Sequence, residues 1–176
     1  MKLLLLGGTA FVGRHIVDAA LAGGHEVTLF HRGKTGLDLF PEVVRVLGDR
    51  STEIEKLANG RWDAVVDVSG RLPSDVRKSA DFLQDRVGSY IFISTVSVYR
   101  DWGGAQDEDG EVHPAMLQPP VPMTGEAYGA LKVGCEVAVD ELYPIGSTII
   151  RPGLIVGPHD TSDRFTYWPS RVARGG

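Results

Sequence analysis

Short apolar segments recur along the chain, and each is followed by glycine or by small polar residues. Runs of this length are typical of β-strands. The segment at 63–68 is almost entirely apolar, as expected for a parallel strand covered on both faces. Six strands are predicted: Leu3–Leu6, His25–Phe30, Val43–Leu47, Asp63–Val68, Tyr90–Ile93 and Ser147–Arg151.

Apolar residues at helical spacing separate several of these strands. The first predicted helix buries a stripe made of Val12, Ile16, Ala19 and Ala20. Pro73 opens another, whose inward side is formed by Val76, Ala80, Leu83 and Val87. A further helix is predicted from about Thr124 to Tyr143. This alternation predicts an α/β fold with a doubly wound parallel sheet.

The turn between the first strand and the first helix carries the pattern Gly-x-x-Ala-x-x-Gly, from Gly7 to Gly13. Glycine lets backbone approach a ligand closely, and free N–H groups at a helix start favour a pyrophosphate. An ordinary strand–helix turn is the alternative. The candidate cofactor-binding residues here are Gly7, Thr9, Ala10, Phe11, Val12 and Gly13.

The residues after the second strand bear on which dinucleotide would bind. In dinucleotide folds an acidic residue at this place holds the adenosine ribose. Here the chain has His31 and Arg32 instead, and no acid appears before Asp38. A guanidinium can clamp a 2′-phosphate, so the sequence favours NADP over NAD. Arg32 as an ordinary solvated loop cation is the alternative.

Two more turns end strands at the same edge of the predicted sheet. Asp49 follows the third strand, where it can accept a hydrogen bond from an adenine amino group or cap the next helix together with Ser51. Ser69 and Gly70 follow the fourth strand and are predicted to approach the cofactor closely.

Tyr128 and Lys132 are four residues apart in a predicted helix and therefore share one face. A nearby ammonium favours phenolate, which makes a tyrosine usable as a general acid or base. A hydroxyl of Ser94, Thr95 or Ser97, after the fifth strand, is placed to bind a substrate oxygen. The intervening segment Arg100–Pro122 is acidic and rich in proline, and a solvated loop is favoured over a substrate lid.

Composition excludes several classes of protein. The chain has 176 residues, 43% of them apolar, with a net charge of −5 and a pI near 5.5, so there is no general basic footprint for nucleic acid. The run Leu3–Leu6 is too short for a signal peptide or a membrane span. Cys135 is alone and reads as a structural thiol, and the five histidines have no metal-ligand spacing. A cytoplasmic protein without a metal is expected.

Four motifs occur in order along the chain: Gly7-Gly8-Thr9-Ala10-Phe11-Val12-Gly13, Ser94-Thr95-Val96-Ser97-Val98-Tyr99, Tyr128-Gly129-Ala130-Leu131-Lys132 and Arg151-Pro152-Gly153-Leu154-Ile155-Val156-Gly157-Pro158. Together they resemble the extended short-chain dehydrogenase/reductase superfamily, in its NAD-dependent epimerase/dehydratase branch. The resemblance implies a three-layer αβα Rossmann-like fold that binds NADP or NAD. It also implies catalytic roles for Tyr128, Lys132 and Thr95, with Lys132 bonded to the nicotinamide ribose, and an adenine contact for Asp49.

The chain departs from that family in three places. Ala10 replaces a glycine, the acid after the second strand is missing, and Asp67-Val68-Ser69-Gly70 stands where the family usually has His-x-Ala-Ala. Family members are about twice as long by resemblance. We therefore expect a cofactor domain at 1–151 and the start of a substrate region at 152–176. His159, Asp160, Arg164 and Tyr167 would either begin the substrate pocket or cover the sheet edge.

The resemblance implies an NAD(P)-dependent epimerase, dehydratase or reductase. Its substrate would be the hydroxyl or carbonyl of a small molecule such as a nucleotide sugar. A non-catalytic NADP sensor and an RNA-associated member of the family are the alternatives. Because much of the substrate region is expected beyond this sequence, the exposed sheet edge also leaves a homodimer open.

Overall fold

The computed structural model describes residues 1–101, 103–104, 107–162 and 165–175. The strands are β1 (Lys2–Leu6), β2 (Glu26–His31), β3 (Val44–Leu47), β4 (Trp62–Asp67), β5 (Val87–Ile93) and β6 (Ser147–Ile150). The α-helices are α1 (Phe11–Ala22), α2 (Pro73–Leu83), α3 (Gly125–Leu142) and α4 (Tyr167–Ala173). Two 3₁₀ turns occupy Ile54–Leu57 and Val96–Val98.

The six strands form one parallel sheet in the order β3-β2-β1-β4-β5-β6. This is the strand order of the Rossmann fold, and the predicted fold class is confirmed. The chain leaves β1 in one direction towards β2 and returns to its other side at β4. The carboxyl edge between β1 and β4 is therefore the topological switch point, where such sheets bind ligands.

Alternate residues of the central strands supply two separate cores, because successive side chains of a strand point to opposite faces. Leu4 and Val65 belong to the core shared with α2 and α3. Leu5 and Val66 belong to the core shared with α1. This two-sided burial explains the apolar character of the β4 sequence and produces the predicted three-layer αβα arrangement.

The hydrophobic pattern predicted the buried face of α1 and the end of α2 incorrectly. The buried side of α1 is formed by Gly13, Val17 and Ala20, whereas Ala19 is exposed and Val12 and Ile16 are half-buried. Val87 belongs to β5 rather than to α2, because α2 ends at Leu83 and Val87 pairs with Trp62. Val87 is buried in the same core as the residues of α2, so its helical spacing was coincidental. Within the described residues, no helix is long and apolar enough to cross a membrane.

Candidate cofactor and active site

The turn between β1 and α1 presents backbone to the carboxyl edge of the sheet. Gly7 has a φ of +113°, and a Cβ on it would lie 2.7 Å from Val68 Cγ2. A Cβ on Gly13 would lie 2.8 Å from Gly8 Cα. Any side chain at these two positions would push the turn away from the sheet, so the glycines keep the start of α1 close to the switch point.

The amino terminus of α1 has no side-chain cap. Ala10 is the N-cap residue in an extended conformation, and the first intrahelical bond runs from the Arg14 N–H to the Ala10 carbonyl at 2.9 Å. The amides of Phe11, Val12 and Gly13 precede that bond and have no partner within the helix. They form the geometry that binds phosphate at helix starts. Ala10 therefore does not obstruct the predicted pyrophosphate site.

Thr9 links the glycine turn to the loop that follows β2. Its Oγ1 lies 2.9 Å from Thr35 Oγ1, and a Cβ on Gly36 would lie 3.2 Å from Thr9 Cβ. The loop after β2 is thus held beside the start of α1. The cationic residues of that loop, Arg32 and Lys34, consequently lie at the same edge as the glycine turn.

An open cavity of about 320 Å³ lies at the carboxyl ends of β2 and β3. Its lining residues are Arg32, Lys34, Leu47, Gly48, Asp49, Glu53 and Lys56. Two predicted cofactor residues, Arg32 and Asp49, therefore meet in one cavity. The lining also carries the carboxylates of Asp49 and Glu53, and Lys56 is paired with Glu53 at 2.6 Å, so Arg32 and Lys34 are the cations suited to a phosphate group.

His31 is buried at the end of β2 and does not line this cavity. Its Nδ1 accepts a hydrogen bond from the Gly33 N–H at 3.1 Å, so the neutral ring carries its proton on Nε2. Burial and the nearby Arg45 charge lower the pKa of His31, which keeps the ring neutral near pH 7. Buried Nε2 has no hydrogen-bond partner among the described residues. His31 thus shapes the turn that carries Arg32.

The Asp49 carboxylate stabilises the turn that contains it. Its Oδ1 accepts bonds from the Ser51 hydroxyl at 2.6 Å and the Ser51 N–H at 3.0 Å, and these bonds lower the pKa of Asp49. The Asp49 N–H donates to Glu53 Oε2 at 2.9 Å. Asp49 does not cap the next helical turn, which begins at Ile54 with Glu53 as its N-cap residue; its bonds to Ser51 instead hold it in the cavity wall.

Ser69 and Gly70 follow β4 at the switch point, beside a buried ion pair. Arg50 donates two hydrogen bonds to the fully buried Asp67, at 2.8 and 2.7 Å. Burial alone would raise the pKa of Asp67, but the Arg50 guanidinium holds it below its usual range. Tyr90 also donates to Asp67, at 2.8 Å. This cluster was not predicted because its members come from three separate places in the chain: the turn after β3, the end of β4 and the middle of β5.

Lys132 is the buried cation of the site, with 4% of its surface exposed. Its ammonium donates to the Gly70 carbonyl at 2.9 Å and the Ile93 carbonyl at 2.7 Å, and it lies 4.0 Å from the centre of the Phe92 ring. Burial lowers the pKa of Lys132 to about 8. An ammonium has three N–H donors, so these two carbonyls leave one for a ligand.

Tyr128 lies at the rim of the same region, one turn before Lys132 on α3, with 42% of its surface exposed. The helix can approach the sheet edge here because residue 129 is glycine: a Cβ on Gly129 would lie 2.0 Å from the Ser97 carbonyl oxygen. The backbone that follows Tyr128 is thereby packed against Ser97, in the turn that carries the candidate hydroxyls. The Tyr128 phenol is reachable from solvent, as an acid or base that meets substrate must be.

Of the three candidate hydroxyls, Thr95 and Ser97 remain at the site. The Ser97 N–H donates to Thr95 Oγ1 at 3.2 Å, and the Thr95 hydroxyl lies 3.2 Å from Ser97 Oγ. Ser94 is buried and donates instead to the Glu136 carboxylate. Ser94 is therefore engaged with α3, whereas Thr95 and Ser97 bond to each other within the 95–98 turn.

Glu136 and Arg151 form a second buried ion pair that sequence reasoning missed. Arg151 reaches both oxygens of Glu136, at 3.1 and 2.9 Å, and also contacts the Tyr99 hydroxyl at 3.2 Å. Glu136 lies four residues after Lys132, so helical spacing was the signal that could have found it. The pair ties α3 to the ends of β5 and β6, which carry the other parts of the site.

The family profile of the NAD dependent epimerase/dehydratase family matches residues 3–175. The chain belongs to this family. That assignment confirms the resemblance drawn from the four motifs.

Relatives of known description agree with the family assignment. The chain is 29% identical over 114 residues to the Chloroplast stem-loop binding protein of 41 kDa b of Arabidopsis thaliana, a match that covers 56% of this chain and 30% of that protein. It is 27% identical over 159 residues to UDP-glucose 4-epimerase of Corynebacterium glutamicum, covering 79% of this chain and 46% of that protein.

Solved structures show the same fold. The UDP-glucuronic acid 4-epimerase of Bacillus cereus, in complex with NAD, superposes with a TM-score of 0.73 at 21% identity. That similarity covers 93% of this chain and 60% of the epimerase. The chain thus spans less than two thirds of the length of these family members.

Two further segments, at 111–116 and 158–160, pack against the elements described above. Backbone hydrogen bonds fix the loop after β5. The Arg100 N–H donates to the Glu111 carbonyl, the His113 N–H to the Val98 carbonyl, and the Met116 N–H to the Ala130 carbonyl. Most described residues of this loop are exposed, as expected for a solvated loop, and only Gly110, Val112, His113 and Met116 are half-buried. The backbone bonds hold the segment against α3 and the 95–98 turn, where the pattern of charge alone gave no signal.

The residues at 158–160 lie against α1. His15 donates to the Pro158 carbonyl at 2.9 Å, and the His159 ring lies 5.9 Å from the His15 ring. Asp160 Oδ1 accepts from Ser162, and Tyr167 is an exposed residue of α4. His159 therefore covers the first turn of α1. Arg164 lies outside the described residues.

Proposed function

We propose that the complete protein is an NAD(P)-dependent epimerase, dehydratase or reductase, acting on a hydroxyl or carbonyl of a small molecule such as a nucleotide sugar. The observation that carries this proposal is that the buried Lys132, one turn after the exposed Tyr128, donates to the Gly70 carbonyl after β4, where the uncapped start of α1 also packs against Val68. Family membership and the UDP-sugar epimerases among the relatives support the substrate class.

Each part of the site has one role in this proposal. The amides at the start of α1 bind the cofactor pyrophosphate, and the remaining N–H of Lys132 binds the nicotinamide ribose. The cofactor, when bound, supplies a hydride acceptor at its nicotinamide ring. Tyr128 would take the proton of the substrate hydroxyl, and Thr95 would donate a hydrogen bond to the same oxygen. The reverse reaction returns the proton from Tyr128 to the carbonyl oxygen.

The test of catalysis is Tyr128→Phe in the full-length protein, which removes the hydroxyl and keeps the ring. We expect turnover of UDP-glucose or UDP-galactose to fall about 10²–10⁴-fold, while cofactor affinity stays unchanged. Nucleotide binding by fluorescence titration is the control. An unchanged rate would refute the assignment of Tyr128, and nucleotide binding without turnover by wild type would favour a non-catalytic NADP sensor.

We further propose that NADP binds more tightly than NAD. The support is the presence of Arg32 and Lys34 in the cavity lining, with no acid at the end of β2. Arg32→Ala should weaken NADPH binding by about tenfold, the effect of losing a charge-assisted contact, and should leave NADH binding unchanged. Arg61→Ala, at the opposite edge of the sheet, is the matched control. Tighter NADH binding by wild type would contradict this proposal.

A second candidate function is binding of an RNA stem-loop. Its support is the similarity to the Arabidopsis stem-loop binding protein, and the net charge of −5 opposes it. Titration of a stem-loop RNA at rising salt concentration decides between them, since phosphate contacts give affinity that falls steeply with salt. Absence of such binding eliminates this candidate.

A further inference from the structure

The Arg50–Asp67 ion pair occupies a position that structural stability does not explain by itself. Asp67 ends β4 and pairs in register with Leu6 on one side and Phe92 on the other, so it lies beneath the switch point. Its carboxylate is fully buried, and the Arg50 side chain is 12% exposed. Apolar residues of matched volume often stabilise a fold as well as such a pair does. We therefore looked for a contribution of this pair to the candidate cofactor site at the switch point.

The pair joins two turns that border the cofactor cleft. Arg50 directly follows Asp49, which lines the cavity at the adenine end. On the other side, Asp67 Oδ1 accepts the Ser69 N–H at 3.1 Å, and Arg50 Nη1 lies 3.4 Å from Ser69 Oγ. One guanidinium thus holds the turn after β3 and the turn after β4 at a fixed separation.

The second of these turns leads directly to Lys132. Gly70 is packed so closely that a Cβ on it would lie 2.6 Å from Phe92 Cε2, 2.7 Å from Val76 Cγ2 and 3.0 Å from Asp67 Oδ2. Its carbonyl accepts from the Lys132 ammonium at 2.9 Å. A displacement of the 67–70 backbone would therefore move one of the two carbonyls that orient this ammonium.

We propose that the Arg50–Asp67 pair is a positioning element that couples the adenine end of the cofactor cleft to Lys132 at its nicotinamide end. Neither residue touches the reacting atoms; both act through the 69–70 backbone. The inference rests on the proposed cofactor site. It predicts that weakening the pair reduces binding of the whole dinucleotide more than binding of its adenine half, because the adenine half does not reach Lys132.

The experiment uses the chain as it is, with two probes and two variants. The probes are NADPH and its adenine half, adenosine 2′,5′-bisphosphate, or NADH and AMP if wild type prefers NADH. Arg50→Lys keeps the charge and loses the two-pronged contact. We expect about tenfold weaker dinucleotide binding, equivalent to one charge-assisted hydrogen bond, and less than about a twofold change for the adenine half. Where Arg50→Lys does not melt cooperatively, Asp67→Asn replaces it with the same expected result.

Tyr143→Phe is the matched control for stability. It removes one buried hydrogen bond, from the Tyr143 hydroxyl to the Ala80 carbonyl at 3.1 Å, without contact to Arg50 or to the 67–70 turn. It should lower the melting temperature and leave both affinities unchanged. Equal weakening of both probes, or of neither, in the Arg50 variant overturns the coupling alone. Failure of wild type to bind any dinucleotide overturns the proposed cofactor site and this inference with it.

Discussion

Replacing Lys132 with methionine tests the energetics of the site most directly. Burial lowers the pKa of Lys132 from 10.5 to about 8. At about 1.4 kcal/mol for each factor of ten in acidity, that gap corresponds to about 3 kcal/mol. This free energy is the cost of keeping a charged ammonium in the folded protein. The variant escapes that cost and loses the bonds to the Gly70 and Ile93 carbonyls, about 1 kcal/mol each.

The sign of the pH dependence follows from the direction of this pKa change. Below pH 8 the folded and unfolded chains both carry the proton, and the wild type bears the full cost of the buried charge. Between pH 8 and 10.5 the folded state loses its proton first, so the wild type gains stability as pH rises. We therefore expect Lys132→Met to be about 1 kcal/mol more stable than wild type at neutral pH and about 2 kcal/mol less stable near the upper limit.

Urea unfolding of both proteins without nucleotide, at pH values across this range, measures the difference. Subtracting the two curves removes the titration of other groups that the proteins share. Lys78→Met, which removes an ammonium half-exposed on α2, is the matched control. A difference between Lys132→Met and wild type that stays constant with pH would refute the reasoning. Nucleotide binding should nevertheless be lost in the variant, so stability and binding would change in opposite directions at neutral pH.

Two further substitutions test how α3 is held at the site. Gly129→Ala places a Cβ 2.0 Å from the Ser97 carbonyl oxygen and should cost about 1–3 kcal/mol of unfolding free energy; Gly125→Ala, whose Cβ would meet no atom within 4 Å, should be near neutral in the same thermal melts. Glu136→Gln leaves Arg151 without its charged partner and should cost about 3 kcal/mol in urea unfolding. A loss below about 1 kcal/mol there would show that solvent compensates Arg151.

The order of elements was readable from the sequence because periodicity and glycine punctuation are local properties. In the turn from Gly7 to Gly13, Gly7 has a positive φ and Gly13 packs closely against the Gly8 backbone. Both features require glycine, so the glycines in the sequence indicate them. The sequence predicted a doubly wound parallel sheet, but the order β3-β2-β1-β4-β5-β6 was decided by strand pairing in the folded protein, because right-handed crossovers also permit other orders. Val87 fits the helical spacing of α2 and also belongs to the apolar segment of β5. The sequence pattern assigned it to the helix, and only its pairing with Trp62 shows that it belongs to the strand.

The sequence likewise predicted part of the candidate site, and tertiary structure decided the rest. Helical spacing alone placed Tyr128 and Lys132 one turn apart, but it did not determine that one is exposed and the other buried, because depth depends on how closely Gly129 lets α3 approach the 95–98 turn. The sequence analysis did not predict the Arg50–Asp67 and Glu136–Arg151 pairs, although helical spacing places Glu136 on the same face of α3 as Lys132. Each joins residues far apart in the chain, and a buried charge is stable only where folding brings its partner within hydrogen-bonding distance. Tertiary structure alone decides that distance.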